Sequence, residues 1–154
     1  MSPLVRQFLE THGVAFSVVE HRPFISFEEA REILTLDPAR MVKGLTFGLP
    51  DGLAIVALRA GDRADYKRIA DGLRMRRADL KLAAPDEVLA SLDMEAGGMV
   101  PLPINGARVL VDRQVLVLDE IICGSGRNTA TLVIPAEAWL SVAAAEIGDF
   151  SRQA

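Results

Sequence analysis

Apolar and polar positions alternate along this chain with two different periods, and their switches mark out its elements. Leu4, Val5, Phe8 and Leu9 form one stripe at helical spacing, so a helix is expected over residues 3–12. Ser2 is placed to cap it, Pro3 suits its first turn, and Gly13 can end it. Ala15 to Glu20 alternates loosely and predicts a strand. Ser26-Phe27-Glu28-Glu29 reads as a capping box opening a second helix, with Ala30, Ile33 and Leu34 on its buried side. Asp37-Pro38 breaks that helix and starts a short turn of its own. Met41 to Phe47 and Leu53 to Arg59 are two strands around an Asp51-Gly52 turn, the pattern of a hairpin.

Arg63 to Leu73 has Tyr66, Ile69, Ala70 and Leu73 spaced to face inward along a helix. Pro85 begins another helix, ending near Asp93, with Asp86 and Glu87 where the helix dipole favours acids. Gly97 to Pro103 is too rich in glycine and proline for regular structure. Strands are expected around 108–111, 115–117 and 120–123, then after a Gly124–Asn128 loop at 130–134. Pro135 opens a last helix through Trp139 and Val142. Helices and strands are mixed without regular βαβ alternation. The expected fold is therefore α/β of the α+β kind, a mixed and partly antiparallel sheet wrapped by helices.

At 154 residues, half of them hydrophobic and a quarter charged, the chain suits a single domain over 1–154 with a sizeable core. Apolar runs such as Val115–Leu118 fall far short of the ~20 residues of a membrane helix, so no membrane partner is expected. The start, Met1-Ser2-Pro3, lacks the charged-then-apolar pattern of a secretion signal. One cysteine, Cys123, excludes an internal disulfide and fits a reducing compartment, and the expected location is cytoplasmic. With only His12 and His21 beside it, a structural zinc site lacks ligands; no metal and no cofactor are expected.

The net charge of −4 argues against bulk electrostatic attachment to nucleic acid. The charge is uneven, however. Between Lys67 and Lys81 six basic residues stand against two acidic ones, a local balance of +4. Lys67, Arg68, Arg74, Arg76 and Arg77 are the candidates for a brief, salt-sensitive contact with a phosphate backbone; a solvated helix face is the plainer alternative.

Familiar catalytic motifs are missing. There is no phosphate-cradling loop ending in Gly-Lys-Ser/Thr, and Gly124-x-Gly126 lacks the third glycine of a dinucleotide fingerprint. Neither histidine lies near a Gly-x-Ser-x-Gly elbow, so a serine nucleophile is not indicated, and both histidines read as structural. Three features remain. Lys43 is a cation in an otherwise apolar strand, where an edge lysine opposing aggregation is the simpler reading. Gly97 to Pro103 fixes a particular backbone path: its glycines let a ligand approach main-chain N–H groups and its prolines stiffen it. Gly124 to Asn128 is a second glycine-bearing bend, carrying Ser125, Arg127 and Asn128.

In order and wording these features resemble the YbaK/prolyl-tRNA synthetase-associated family of aminoacyl-tRNA deacylases, over almost the whole chain. The resemblance is carried by Val19-Glu20-His21-Arg22-Pro23, the helix start Ser26 to Ala30, and Met41-Val42-Lys43-Gly44-Leu45. It continues through Gly61 to Lys67, Ala84 to Val88, Glu95-Ala96-Gly97-Gly98-Met99-Val100-Pro101, Val111-Asp112, Asp119-Glu120 and Gly124 to Asn128. It implies a barrel-like sheet of six or seven strands surrounded by helices. It also implies a hydrolase that removes wrongly attached amino acids from transfer RNA, with tRNA-Pro carrying a small non-cognate amino acid as the expected substrate.

By the same resemblance Lys43 is the functional lysine. Gly44, Gly97, Gly98, Val100, Pro101, Gly124, Ser125, Gly126 and Asn128 are the substrate-binding positions, and the acceptor end of the tRNA, with a prolyl-tRNA synthetase, are the partners. The chain departs from the family wording at Gly44, Val100, Leu102 and Pro103, positions the resemblance places at the pocket reading the amino acid. Those departures keep open a non-catalytic module that binds tRNA or a synthetase. A protein acting on a small nucleotide or aminoacyl ester outside translation is the other alternative.

Overall fold

The computed structural model describes residues 1–152. The chain order is α1 (Pro3–Thr11), β1 (Ser17–Glu20), α2 (Phe27–Ile33), β2 (Val42–Leu49), β3 (Gly52–Arg59), β4 (Arg63–Ala64), α3 (Tyr66–Gly72) and α4 (Pro85–Leu92). There follow β5 (Arg108–Asp112), β6 (Glu120–Gly124), β7 (Ala130–Pro135), α5 (Ala136–Ala143), β8 (Ala145–Gly148) and β9 (Ser151–Arg152). The strands lie in three sheets: β1-β7-β6, all antiparallel; β2-β3-β5-β8, a hairpin followed by two parallel neighbours; and the pair β4-β9. The mixed, partly antiparallel character is as expected. The single six- or seven-stranded barrel-like sheet is not: among the described residues the barrel does not close, and the two larger sheets meet through a Met41–Ile122 bridge.

Local chemistry accounts for the helix boundaries. Ser26 and Glu29 form the capping box of α2 in both directions. Asp65 accepts from the Arg68 N–H and starts α3 at Tyr66, three residues later than the apolar spacing implies, because Arg63-Ala64 pairs with Ser151-Arg152. The strand expected at 115–117 is a 3-10 turn over Arg113–Val117. Asp112 caps that turn by accepting from the Gln114 N–H, which bends the chain out of extension.

The four-stranded sheet separates two apolar cores. Val42, Ile55, Ala57, Val109 and Val111 face the larger one, which is filled by Trp139, Leu132, Ile134, Leu92 and Leu9. Phe47, Val56, Leu58 and Leu110 face the other, where Ile69, Ala70 and Leu73 of α3 cover them. A third, smaller cluster of Ala30, Leu34, Met41, Ala60 and Ile122 lies where α2 crosses the seam between the sheets. No helix among the described residues is long and apolar enough to cross a membrane.

Candidate active site

The seam between the sheets opens into a cavity of about 300 Å³. The third cluster contributes Leu34, Met41 and Ile122 to its lining; Phe24, Ile25 and Phe27 line it as well, the first two packed against Gly97, together with Met99 and Gly124. Lys43 and Gly44 of β2 also line it, as do Thr131 of β7 and Cys123 of β6.

An unpaired stretch of β2 creates the opening. Thr46 O accepts from the Ala83 N–H, and the Gly48 N–H donates to Lys81 O, so these residues turn their peptide groups away from β3. Even-numbered residues of β2 therefore face its free edge, odd-numbered ones β3. Gly44 is in phase with that edge, between the Met41–Ile122 and Phe47–Leu82 bridges. Gly44 is needed on steric grounds too: a Cβ there would lie 2.9 Å from Met99 Cβ and 3.1 Å from Ile55 Cγ2. Thr46 Oγ1, 3.2 Å from Met99 Sδ, holds the same methionine from the next position along.

Lys43 is half-buried, and its Nζ donates to the main-chain carbonyl of Asp62 at 2.5 Å. Asp62 is fixed in turn by Arg59, whose Nε and Nη2 reach its two carboxylate oxygens at 2.7 and 3.3 Å. Loss of water around Lys43 lowers the pKa of its ammonium group below the ordinary 10.5, and the charge of Asp62 draws it back up. The result is a cation held by one bond and free to turn its other donors toward a ligand.

The two glycine-bearing bends do converge, backbone against backbone. The Gly126 N–H donates to Gly98 O at 2.7 Å, and the Glu95 N–H to Gly126 O at 2.9 Å. A Cβ on Gly124 would come within 2.2 Å of Gly98 C, and one on Gly98 within 2.8 Å of Arg127 N. Gly97 adopts φ +80° and presses on Phe24 and Ile25. The N–H groups of Gly97 and Met99 have no acceptor among the described residues. Both residues line the cavity.

Of the positions expected to bind substrate, Lys43, Gly44, Gly97 and Gly124 line the cavity. Gly98, Val100, Pro101, Ser125, Gly126 and Asn128 do not; they hold the wall from behind. Val100 is fully buried in the main core, and Pro101 O accepts from Trp139 Nε1 at 2.9 Å. Ser125 Oγ donates to Ala130 O at 2.6 Å, and the Asn128 N–H to Glu95 Oε1 at 3.1 Å. The departures at Val100, Leu102 and Pro103 therefore sit outside the pocket, while Gly44 sits within it.

The basic residues Lys67, Arg68, Arg74, Arg76 and Arg77 are all exposed, on and beyond α3. Arg76 is held by Asp79 at 2.8 Å, Arg68 lies 3.6 Å from Asp65, and Arg77 stacks over Tyr66 at 4.9 Å. Lys67, Arg74 and Arg77 have no acid within ion-pair distance among the described residues, so the free positive charge is smaller than the sequence count implies.

Thr131 and the aromatic wall were not indicated by the sequence. The signal for Thr131 was available: it is a hydroxyl at an inward position of the apolar strand Ala130–Ile134. Cys123 is excluded as a nucleophile, because burial pushes its thiol up to about 12.

Known proteins share the sequence pattern and the fold of this chain. A model of the aminoacyl-tRNA editing domain matches residues 21–142. A proline–tRNA ligase of Halalkalibacterium halodurans is 24% identical over 97 residues, 63% of this chain. The matched stretch is only 17% of that ligase's length. A solved structure described as a candidate trans-editing enzyme for prolyl tRNA synthetase superposes with TM-score 0.83 at 23% identity, covering 99% of both chains. A candidate signal transduction protein from Marinobacter aquaeolei superposes with TM-score 0.73 at 20% identity, covering 98% of this chain and 31% of that one. At these identities the two structures speak for the fold, and the matched model, spanning most of the chain, speaks for the family. The chain belongs to the aminoacyl-tRNA editing domain family.

Proposed function

We propose that this protein hydrolyses the ester between a small, wrongly attached amino acid and the terminal ribose of tRNA-Pro. One observation supports the reading: Lys43, Gly97 and Met99 line a single cavity of about 300 Å³, and the N–H groups of the last two have no acceptor among the described residues. Such help is needed because a synthetase pocket made for a larger side chain rejects a smaller one by only ~1–3 kcal/mol per methylene.

In this reading the Gly97 and Met99 N–H groups receive the ester carbonyl and the charge that develops on its oxygen. Lys43 stabilises that charge or the terminal phosphate. Water adds to the carbonyl carbon, the carbon–oxygen bond to the ribose breaks, and the ribose oxygen leaves with a proton. Among the described residues no acidic or imidazole side chain lines the cavity, and the Cys123 thiol stays protonated. A route in which the ribose's own hydroxyl orients the water fits this inventory. The exposed cations Lys67, on α3, and Arg74 and Arg77, beyond it, lie on the side of the sheet that Lys43 shares with Leu45 and Phe47, and suit the acceptor stem. The position of Val100 outside the pocket removes the main reason for a non-catalytic module.

The test is deacylation of tRNA-Pro charged with alanine, cysteine, serine or threonine. Lys43→Ala is expected to lower kcat/KM at least about a hundredfold, the scale of losing one charge-stabilising donor, with an unchanged melting temperature. Near-normal turnover by Lys43→Ala, or survival of every mischarged tRNA with the intact protein, refutes the reading.

A further inference from the structure

Among the polar side chains that line the cavity, Thr131 is buried and has no part in the proposed chemistry. Thr131 is 3% exposed and lines the cavity, and its Oγ1 lies 2.8 Å from His21 Nε2. The other ring nitrogen, Nδ1, is 2.8 Å from the carbonyl oxygen of Arg22. A carbonyl only accepts, so Nδ1 carries the proton; in the neutral ring Nε2 is then the acceptor, and the Thr131 hydroxyl donates to it. Stacking on Phe24, at 4.4 Å between ring centroids, fixes the imidazole in that orientation. The single hydroxyl proton of Thr131 is thereby committed, and what its oxygen offers the cavity is lone pairs.

Those lone pairs stand beside the proposed ester site. Thr131 is the register partner of Gly124, which touches Gly98 and Met99. A group bonded to the α-carbon of an ester held at Gly97 and Met99 comes within reach of Thr131 across one strand spacing, about 4.8 Å. Every aminoacyl ester carries a donor at that point, its α-amino group. Among the described residues no carboxylate lines the cavity to receive it. Lys43 has only donors, and the Ser26 hydroxyl is engaged with Glu29 in the capping box. Thr131 is the side-chain acceptor that remains.

We infer that Thr131, oriented by His21, accepts a hydrogen bond from the α-amino group of the bound aminoacyl ester. The site therefore selects acyl groups that carry a free amine over acyl groups of the same size that lack one. Thr131 binds substrate directly; His21 is a positioning residue. The inference rests on the editing reading for its ligand but concerns a different contact, so the two can fail separately.

The experiment is calorimetric binding of two non-hydrolysable amides to the intact protein, 3′-alanylamino-3′-deoxyadenosine and its propionyl counterpart, which differ only in the amine. The protein is expected to bind the alanyl compound about tenfold more tightly, the scale of one buried hydrogen bond. Thr131→Val, nearly isosteric, is expected to remove that difference by weakening the alanyl compound alone, and Thr131→Ser to restore it. His21→Ala is expected to reduce the preference, and to add nothing in the presence of Thr131→Val. A merely structural role for His21 would weaken both ligands together. Equal affinity for the two amides, equal weakening of both by Thr131→Val, or binding of neither overturns the inference. An unchanged preference in Thr131→Val also overturns it and places the amine on backbone carbonyls at the β2 edge. Hydrolysis of mischarged tRNA, measured alongside, decides the editing reading independently.

Discussion

Replacing Gly124 by alanine separates the wall of the site from its chemistry. The added Cβ would lie 2.2 Å from Gly98 C, 2.5 Å from Gly98 O and 2.6 Å from Met99 O, all main-chain atoms. Ordinary contact begins at 3.4 Å, so the two bends must part by roughly an ångström, and no flexible side chain can absorb the shift. That movement carries Gly97 and Met99 away from Lys43 and strains the Gly126–Gly98 hydrogen bond, 2.7 Å in the native protein. Overpacking of this kind costs about 1–3 kcal/mol, or a fall in melting temperature of roughly 2–12 °C for a chain of this size. A misplacement of about 1 Å costs on the order of a hundredfold in rate. Thermal denaturation and deacylation kinetics read the two effects separately. Gly44→Ala is the graded comparison, because its Cβ would meet Met99 Cβ at 2.9 Å and Ile55 Cγ2 at 3.1 Å, a milder overlap than that at Gly124. Gly124→Ala with native melting temperature and native turnover would show that the bends do not need their close approach.

Three further outcomes follow from other parts of the molecule. Cys123 is buried with its thiol pushed up to about 12, so iodoacetamide is expected to leave the native protein unlabelled at pH 8 and to alkylate it in denaturant; rapid native labelling contradicts the burial. The Asp93 carboxyl is held below its usual range first by the Ser2 hydroxyl, 2.6 Å away, and then by the Arg127 guanidinium. Its contribution is therefore complete above the unfolded value of about 3.9 and is lost as pH falls through the lower folded value. Asp93→Asn should be less stable at neutral pH and show a flatter acid limb in urea midpoints against pH; an identical limb refutes it. Asp112, buried, accepts from the N–H groups of Phe150 and Ser151 at 2.7 and 3.0 Å and from the Ser151 hydroxyl at 2.9 Å. Asp112→Ala should cost about 3 kcal/mol or more, since buried bonds to a charged group count ~1.5–3 kcal/mol each, and should expose the amides of 150–152 to hydrogen exchange. A loss under about 1 kcal/mol would be too small for such bonds.

Most elements were legible because local signals and tertiary demands agree. The Ser26–Glu29 capping box, the Asp51-Gly52 turn and the proline at the start of α4 all act within a few residues of where they stand. Where the reading failed, a distant partner decided. Val115-Leu116-Val117 looks like a strand, yet Asp112 folds it into a 3-10 turn. Ala145–Gly148 has no strand composition and becomes β8 because β5 offers a parallel edge. For the site, single chemical groups were visible and their facing directions were not. Lys43 stands out as a cation in an apolar strand, and glycine-rich bends announce close backbone approach. Whether Ser125 or Thr131 faces the cavity depends on register between β6 and β7, which no single segment encodes.

The parallel run β3-β5-β8 has a consequence for how the protein is made. Ala145–Gly148 seals the edge of β5 and is translated only after β6, β7 and α5. Until then β5 presents unpaired amides and carbonyls beside an apolar interior, the kind of rim on which nascent chains stick to one another. Burial of that rim thus waits for residues 145–148, and truncation before residue 145 leaves a chain prone to aggregate.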